Sequence, residues 1–326
     1  MNRFLQKKRL EGTALEIPFA TLGTMMFGSR ADETESRRMV DTAIERGIHF
    51  FDTANMYNAG ESERILGRAL AGRRAQVIVA TKVGYGKDDD GNEEGLSGKA
   101  VLRAIDQSLE RLGMDYLDIY YLHRPDKDTP IEETLSTLVE LIQAGKIRHF
   151  ALSNFGAWQS LEVLNLCSRN GWPRPVMSQM IYNLLVRQIE LEYTRLCATQ
   201  QLHLTVYNPL AGGLLTGKYT SLQDEERGGR FIKNKRYRER YWSQRMLDGA
   251  LALQKIANTC GLSLTHLALR WVLQRGCVDS ILLGPSSTDQ LLDCLAAGEK
   301  QVPEDALKDI DSFIGEFDGS DACYAR

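Results

Sequence analysis

The run Val77-Ile78-Val79-Ala80-Thr81-Lys82-Val83 is apolar through its first four residues and lacks the alternation of a half-exposed strand. A strand without alternation is buried on both faces, the condition of a parallel sheet covered by helices. Other β-rich runs lie near Thr21 and at His49–Thr53, Leu117–His123, Ile147–Ser153, Val176–Tyr182, His203–Asn208 and Asp279–Leu283, which makes eight in all. Most follow one another at roughly 30 residues, about the length of one βα repeat. The longer gap between the seventh and eighth runs holds a loop/helix insertion. Eight alternating units predict an α/β fold closed into a (β/α)8 TIM barrel rather than an open sheet. The rival is a doubly wound dinucleotide-binding sheet, and its G-x-G-x-x-G turn is missing. Gly84-Tyr85-Gly86 comes nearest and runs into Asp88-Asp89-Asp90.

The helices between these runs carry end signals. Asp32 to Glu35 opens one that stops at Gly47, and Thr129-Pro130-Ile131-Glu132 reads as a capping box with proline in the first helical position, stopping at Gly145. From Ser97 to Gly113, Leu102, Ile105, Leu109 and Leu112 are read on one sheet-facing side. A further helix is expected at the C-terminal end. With 326 residues, 43% hydrophobic and 25% charged, the chain suits one barrel domain over 1–326 that needs no metal or disulfide to hold it.

Composition also excludes partners. The net charge is −3, without the basic stripe a nucleic acid needs. Cys167, Cys197, Cys260, Cys277, Cys294 and Cys323 form no C-x-x-C pair and have no histidine at zinc spacing, as expected in a reducing compartment. Met1 to Arg9 is not followed by an apolar signal-peptide core, and the longest uncharged stretch, Cys197–Gly217, is too polar and glycine-rich to span a membrane. The expectation is a cytoplasmic protein with neither a membrane nor a nucleic-acid partner.

In such barrels chemistry sits at the C-terminal ends of the strands. There the second run presents Asp52, with Tyr57 five residues on, the third presents Lys82 and the fourth His123. One Asp or Lys at a strand end is ordinarily a cap or a solvated charge, and one His a hydrogen-bonded structural residue. Four titratable groups on adjacent strand ends are a different matter. Metal binding is the alternative use of Asp and His, and a lysine among them opposes it. The set suits proton donation: a tyrosine titrates near about 10, too high for an efficient acid at neutral pH. An ammonium at about 4 Å contributes on the order of 4 kcal/mol at an effective dielectric of about 20, enough to lower the phenol by up to roughly three pH units before desolvation opposes it. Asp52 would pair with Lys82, and His123 would hydrogen-bond a carbonyl oxygen.

Two longer stretches carry a family resemblance. Phe51-Asp52-Thr53-Ala54-Asn55-Met56-Tyr57 with Gly60-Glu61-Ser62-Glu63, and Leu112-Gly113-Met114-Asp115-Tyr116-Leu117-Asp118 through His123-Arg124-Pro125-Asp126, resemble the two signatures of the aldo-keto reductases. The resemblance covers nearly the whole chain. It implies a tetrad of Asp52, Tyr57, Lys82 and His123, NADP(H) as cofactor with NAD(H) as the alternative, and a small-molecule carbonyl substrate. Within it, Ser153, Asn154 and Gln179 resemble the residues that hold the nicotinamide carboxamide, and Tyr207 the one that stacks on its ring. Gly23, Thr24 and Met25, then Asn208, Pro209, Leu210, Gly212, Gly213, Leu214 and Lys218, would line the cofactor. Gly212 to Lys218 also reads G-x-x-x-x-G-K, but Tyr219 follows where a P-loop needs Ser or Thr.

Gly284, Ser286, Ser287 and Gln290 precede a helix and resemble the adenosine-phosphate site, with the phosphate on the helix N-terminus. Cys294 stands where relatives carry an adenine-reading asparagine, and the segment has no Lys or Arg for a 2′-phosphate, which leaves Lys218 or Arg230. The insertion, with Gly229-Arg230-Phe231 and Arg238-Glu239-Arg240-Tyr241-Trp242, looks like the aflatoxin-aldehyde/succinic-semialdehyde reductase branch. Its basic run is either a solvated loop or the place where Arg230 meets a phosphate or a substrate carboxylate. Met26, Phe27, Tyr57, His123 and Arg124 are the expected substrate pocket, with Trp158, Tyr324 and Arg326 as outer candidates. The alternative function is a cofactor-binding regulatory subunit on the same barrel, like the channel-associated β-subunits.

Overall fold

A computed structural model describes residues 2–86, 91, 94–227, 231 and 234–318. Arg230, Cys323, Tyr324 and Arg326 lie outside them. The chain starts with a hairpin of β1 (Lys7–Arg9) and β2 (Glu16–Pro18), followed by β3 (Ala20–Gly23), α1 (Glu33–Glu45), β4 (Phe50–Asp52), α2 (Glu61–Ala69) and β5 (Ile78–Val83). Next come α3 (Gly98–Leu112), β6 (Leu117–Leu122), α4 (Ile131–Gln143), β7 (Ile147–Ser153), α5 (Ala157–Asn170), β8 (Met177–Ile181), α6 (Tyr193–Gln200) and β9 (His203–Tyr207). The insertion carries α7 (Lys235–Tyr241), α8 (Gln244–Thr259) and α9 (Leu264–Gln274), before β10 (Ser280–Leu283), α10 (Thr288–Ala296) and the C-terminal α11 (Glu304–Asp318). Strands β3 to β10 close into a parallel barrel, with β10 pairing both β3 and β9.

Strand pleat explains both the unbroken apolar runs and the position of the polar groups. Successive side chains point to opposite faces, so residues two apart share a face. The outward set, including Phe51, Val79, Tyr120, Leu122, Phe150 and Leu152, packs in the core that the helices cover. The inward set starts apolar, with Phe50, Ala80, Ile119, Tyr121, Ala151 and Met177 clustered in the barrel interior. Leu10 and Ile17 of the hairpin join that cluster and plug the N-terminal end of the barrel. The charged residues Lys7, Lys8 and Arg9 gave no sign of this hairpin in the sequence. Two residues further along the same inward faces lie Asp52, Lys82, His123, Ser153 and Gln179. The top of the interior is therefore polar for the same reason that its floor is apolar.

Most helix ends fall where the sequence places them. Asp32 Oδ1 accepts from Glu35 N at 2.8 Å, and Ser97 Oγ from Ala100 N at 3.3 Å. Two readings need correcting. Pro130 is the N-cap residue, one place before the helix, and the Thr129 hydroxyl donates to Asp126 Oδ2 at 2.8 Å instead of capping. Leu102 is 40% exposed, and the face of α3 that packs inward runs through Val101, Ile105, Ser108 and Leu112. Val101 takes the place given to Leu102 because the stripe is set by contact with neighbouring helices α2 and α4 as well as with the sheet.

Candidate active site

A cavity of about 530 Å³ opens at the C-terminal ends of the strands, within the ordinary range for a ligand site. Asp52, Tyr57 and His123 line one end of it. Lys82 lies beneath, fully buried, its Nζ bonded to Asp52 Oδ1 and donating to the carbonyl oxygen of Thr53 at 2.7 Å. Gln179 Nε2 donates to the second Asp52 oxygen at 2.9 Å. The carboxylate, itself buried, is thus held from β5 and β8 at once. Lys82 Nζ stands 5.3 Å from the centroid of the Tyr57 ring. Burial pulls the Lys82 pKa down, while Asp52 and then Glu63 pull it back up.

The Tyr57 and His123 rings meet edge to face at 6.0 Å. His123 is held well below the ordinary imidazole range by burial, then by Lys82, Arg236 and Arg124. It is therefore neutral at physiological pH, and its buried Nδ1 has no hydrogen-bond partner among the described residues. Tyr57 is followed by three left-handed residues, Asn58, Ala59 and Gly60, at φ of 49°, 53° and 85°. A left-handed non-glycine residue costs roughly 1–2 kcal/mol. Asn58 offsets this by donating to the carbonyls of Met25 at 3.1 Å and Phe27 at 2.6 Å. The turn that presents Tyr57 is thereby pinned to the loop after β3.

The rest of the first signature is framework. Ser62 Oγ lies 2.8 Å from Thr24 Oγ1 and 3.0 Å from Thr53 Oγ1. Glu63, fully buried, accepts from Thr81 Oγ1 and from Arg111 Nε, each at 2.6 Å. Removing one member of such a buried pair typically costs about 3–5 kcal/mol. These residues join α2 to β4, β5 and α3, and so fix the strand ends on which the site stands.

Of the expected cofactor residues, Gly23, Met25, Ser153, Asn154, Gln179, Tyr207, Asn208, Pro209, Leu210, Gly212, Gly213, Lys218, Gly284, Ser286 and Gln290 line the cavity. Gly213 has φ 106°, and a Cβ there would project into the cavity with nothing nearer than Lys218 Cε at 4.0 Å. That is a backbone cradle a side chain would fill. Tyr207 Oη donates to Asn154 Oδ1 at 2.7 Å, and Asn154 Nδ2 to the His123 carbonyl at 2.8 Å.

Five residues expected at the cofactor or substrate lie elsewhere. Thr24 is buried in the Ser62 network, Leu214 is in the core, and Ser287 caps α10 by accepting from Gln290 N at 3.2 Å. Phe27, from the expected substrate pocket, is fully buried in the hydrophobic core instead. Met26 does line the cavity. Arg124 does not: its Nε donates to the Gly84 carbonyl at 2.9 Å. Trp158 is 68% exposed and stands apart from the cavity. The α10 N-terminus, expected to receive a phosphate, has its Thr288 amide bonded to the Glu35 carboxylate and its Ser286 amide to Gln290 Oε1.

The sequence reading missed Arg30, Tyr85, Arg236, Tyr237, Arg240 and Asp293, all on the cavity wall. Three of them form one face of α7. Arg236 lies over the Tyr85 ring at 4.6 Å, Tyr237 Oη donates to Asn208 Oδ1 at 3.0 Å, and Arg240 interacts with Tyr207. The spacing 236, 237, 240 is helical, but a run so rich in charge reads as a solvated loop until its partners are known. No group of three or more potential metal ligands occurs among the described residues.

Comparison with known proteins agrees with this geometry. The family model described as "Aldo/keto reductase family" matches residues 21–314. The chain belongs to the aldo/keto reductase family. As an aldo/keto reductase it is an oxidoreductase of carbonyl compounds, in a family that works with nicotinamide cofactors. It is 38% identical over 307 residues to human aflatoxin B1 aldehyde reductase member 2, covering 89% of this chain and 84% of that protein. Human aldo-keto reductase family 7 member A3 is 37% identical over 311 residues, 90% of this chain and 92% of that one. A rice protein named probable voltage-gated potassium channel subunit beta is 33% identical over 299 residues, 90% and 91% of the two chains. No helix among the described residues of this aldo/keto reductase is long and apolar enough to cross a membrane.

Proposed function

We propose that the protein reduces an aldehyde or ketone to the alcohol with NADP(H), Tyr57 giving the proton. The reading is carried by the convergence of Asp52, Tyr57 and His123 on one end of a cavity, with Lys82 directly beneath. A bound reduced nicotinamide supplies the hydride. The Tyr57 hydroxyl donates its proton to the carbonyl oxygen, and the Lys82 ammonium stabilises the phenolate that remains. Asp52 opposes the burial that would otherwise discharge Lys82. His123, being neutral, donates one N–H to the carbonyl oxygen and orients it without competing as an acid.

Around the cofactor, Asn154 and Tyr207 face the ring end, and the Gly213 cradle with Lys218 faces the phosphates. The carboxamide, which the sequence also assigns to Gln179, meets an amide already donating to Asp52. Lys218 and Arg30 are cations of the cavity wall for a 2′-phosphate, and they favour NADP(H) over NAD(H). The test is Tyr57→Phe. Carbonyl reduction should fall by at least about 100-fold, the scale of general-acid catalysis, while NADPH binding by fluorescence titration stays close to wild type. Reduction at full rate in this variant would remove Tyr57 from the acid role. Equal affinity for NADPH and NADH would overturn the cofactor preference.

The likeness to the rice protein named as a channel subunit favours a second reading, a cofactor-bound regulatory subunit. It predicts a co-purifying membrane partner and no turnover on a broad aldehyde panel.

A further inference from the structure

Lys82 is fully buried, and an ammonium carries three N–H donors. Two of them go to Asp52 Oδ1 and, at 2.7 Å, to the carbonyl oxygen of Thr53. That leaves one donor for the rest of its surroundings, in which two aromatic rings stand near Nζ. The Tyr57 centroid is at 5.3 Å and the Tyr121 centroid at 5.5 Å. Both lie within the distance at which a ring attracts a cation, and the attraction is strongest where water is excluded.

Tyr57 is the reacting ring, and its charge changes when it gives up its proton. Tyr121 keeps its own. It is fully buried, and burial, followed by the Asp52 carboxylate, pushes its phenol well above the ordinary range against a pull from Gln179 and Thr205. Its hydroxyl closes no hydrogen bond of good geometry among the described residues. Lys82 therefore meets a ring that stays neutral at any working pH. The sheet sets its place: β5 and β6 pair Lys82 with Tyr121, and β7 puts Ala151 beside it. Ala80 and Ala151 share the same interior cluster, and both are small enough to leave the ring room.

The titratable groups around Lys82 come from every element that faces it. They are Asp52 on β4, Tyr57 in the loop after it, Glu63 on α2, Tyr121 on β6 and His123 at the end of β6. Asp52 and Glu63 support the ammonium by charge, and His123 is neutral. We infer that Tyr121 is a further positioning residue of the reaction, whose ring holds the Lys82 ammonium charged and in place for Tyr57. The inference rests on the reading of Tyr57 as the proton donor. Tyr121 does not line the cavity, so it acts through Lys82 and not on the substrate.

Tyr121→Leu removes the ring and Tyr121→Phe keeps it. The Cε resonance of Lys82, read by NMR in lysine-labelled protein and assigned by its loss in Lys82→Met, follows the titration without turnover. Its midpoint should fall by about one pH unit in Tyr121→Leu, the scale of a desolvated cation–ring contact, and hold the wild-type value in Tyr121→Phe. NADPH oxidation by benzaldehyde in a single turnover should slow at least about fivefold in Tyr121→Leu, its alkaline limb moving down with the midpoint. NADPH affinity and KM for benzaldehyde should stay close to wild type, which a disordered barrel top would not allow. Tyr121→Met serves if the leucine variant fails to fold. A midpoint unchanged or raised in Tyr121→Leu overturns the proposal. So does a Tyr121→Phe that behaves as Tyr121→Leu, since the role would then belong to the hydroxyl. A lowered midpoint with an unchanged single-turnover rate makes Tyr121 a structural neighbour of Lys82 and overturns it as well. Failure of the reductase reading shows separately, as a wild type that does not reduce benzaldehyde, and the NMR arm then decides alone whether the ring holds Lys82 charged.

Discussion

Gln179 Nε2 on β8 donates to Asp52 Oδ2 on β4 at 2.9 Å, reaching across the barrel interior. Asp52 is fully buried, and its other oxygen is taken by Lys82. A buried carboxylate with one oxygen unpaired is costly, so Gln179 is part of what holds Asp52 and Lys82 in place. Replacing it by Glu would set a second carboxylate at hydrogen-bonding distance, and two such groups cannot both ionise cheaply. Gln179→Glu should unfold about 1–3 kcal/mol more easily at pH 8 in a denaturant titration. It should recover part of the loss at pH 6, where the new acid takes up a proton and donates as the amide did. Equal stability at the two pH values would show that the bond contributes nothing.

The left-handed turn after Tyr57 offers two substitutions with opposite signs. Ala59 is exposed, has φ 53° and carries a Cβ that this conformation disfavours. Ala59→Gly should stabilise the protein by roughly 0.5–1 kcal/mol, the steric relief less the entropy glycine loses. Asn58→Ala removes both bonds to the β3 loop and should cost roughly 1–2 kcal/mol. It should also lower kcat more than it raises KM, because Tyr57 loses its placement and not its contact with bound substrate. Denaturant unfolding and steady-state kinetics check both, and a kinetic effect confined to KM would contradict this account of Asn58.

What was legible in the sequence follows from the pleat. Lys82, His123 and Gln179 lie two residues beyond Ala80, Tyr121 and Met177 on the inward faces, so strand phase alone brings them together. Ile147–Ser153 falls as read, because the run lies between the helix stop at Gly145 and the next helical segment, which leaves little choice of boundary. The hairpin β1–β2 was not legible: its exposed Lys7, Lys8 and Arg9 show no buried face, and only Leu10 and Ile17 reveal its place under the barrel. Phe27 and Arg124 were placed in the substrate pocket by their neighbours in sequence. A loop residue has no strand phase to fix its direction, and both side chains turn elsewhere. Tyr85 was visible only as the middle of a failed dinucleotide fingerprint, since its partners are Arg124, in the loop after β6, and a helix in the insertion.

The electrostatics of His123 give a prediction about pH. Burial and three nearby cations disfavour its protonated form, so the ring loses its proton well below the ordinary value of 6.5. It is then neutral at the pH where an ordinary imidazole is half protonated, about 6.5. kcat/KM for reduction should show no limb near pH 6.5, and His123→Gln should lower the rate without changing the shape of the profile. A limb near pH 6.5 present in wild type and missing from His123→Gln would make His123 an acid.

His203 tests the same effect on stability, away from the cavity. It is buried on β9, its Nε2 lies 2.9 Å from Ser280 Oγ on β10, and burial lowers its pKa from 6.5 to about 4. The folded-state value lies below the unfolded one, so the unfolded chain binds the extra proton between them. The contribution is therefore complete above about pH 6.5 and is lost as pH falls towards about 4. Between pH 7.5 and 5 it should shrink by roughly 2 kcal/mol. His203→Gln keeps a hydrogen-bonding group for Ser280 but cannot take up the proton. Its loss of unfolding free energy over that interval should be smaller than that of wild type by this amount, read from urea titrations at the two pH values. Parallel losses in the two proteins would mean that His203 titrates normally in the folded state.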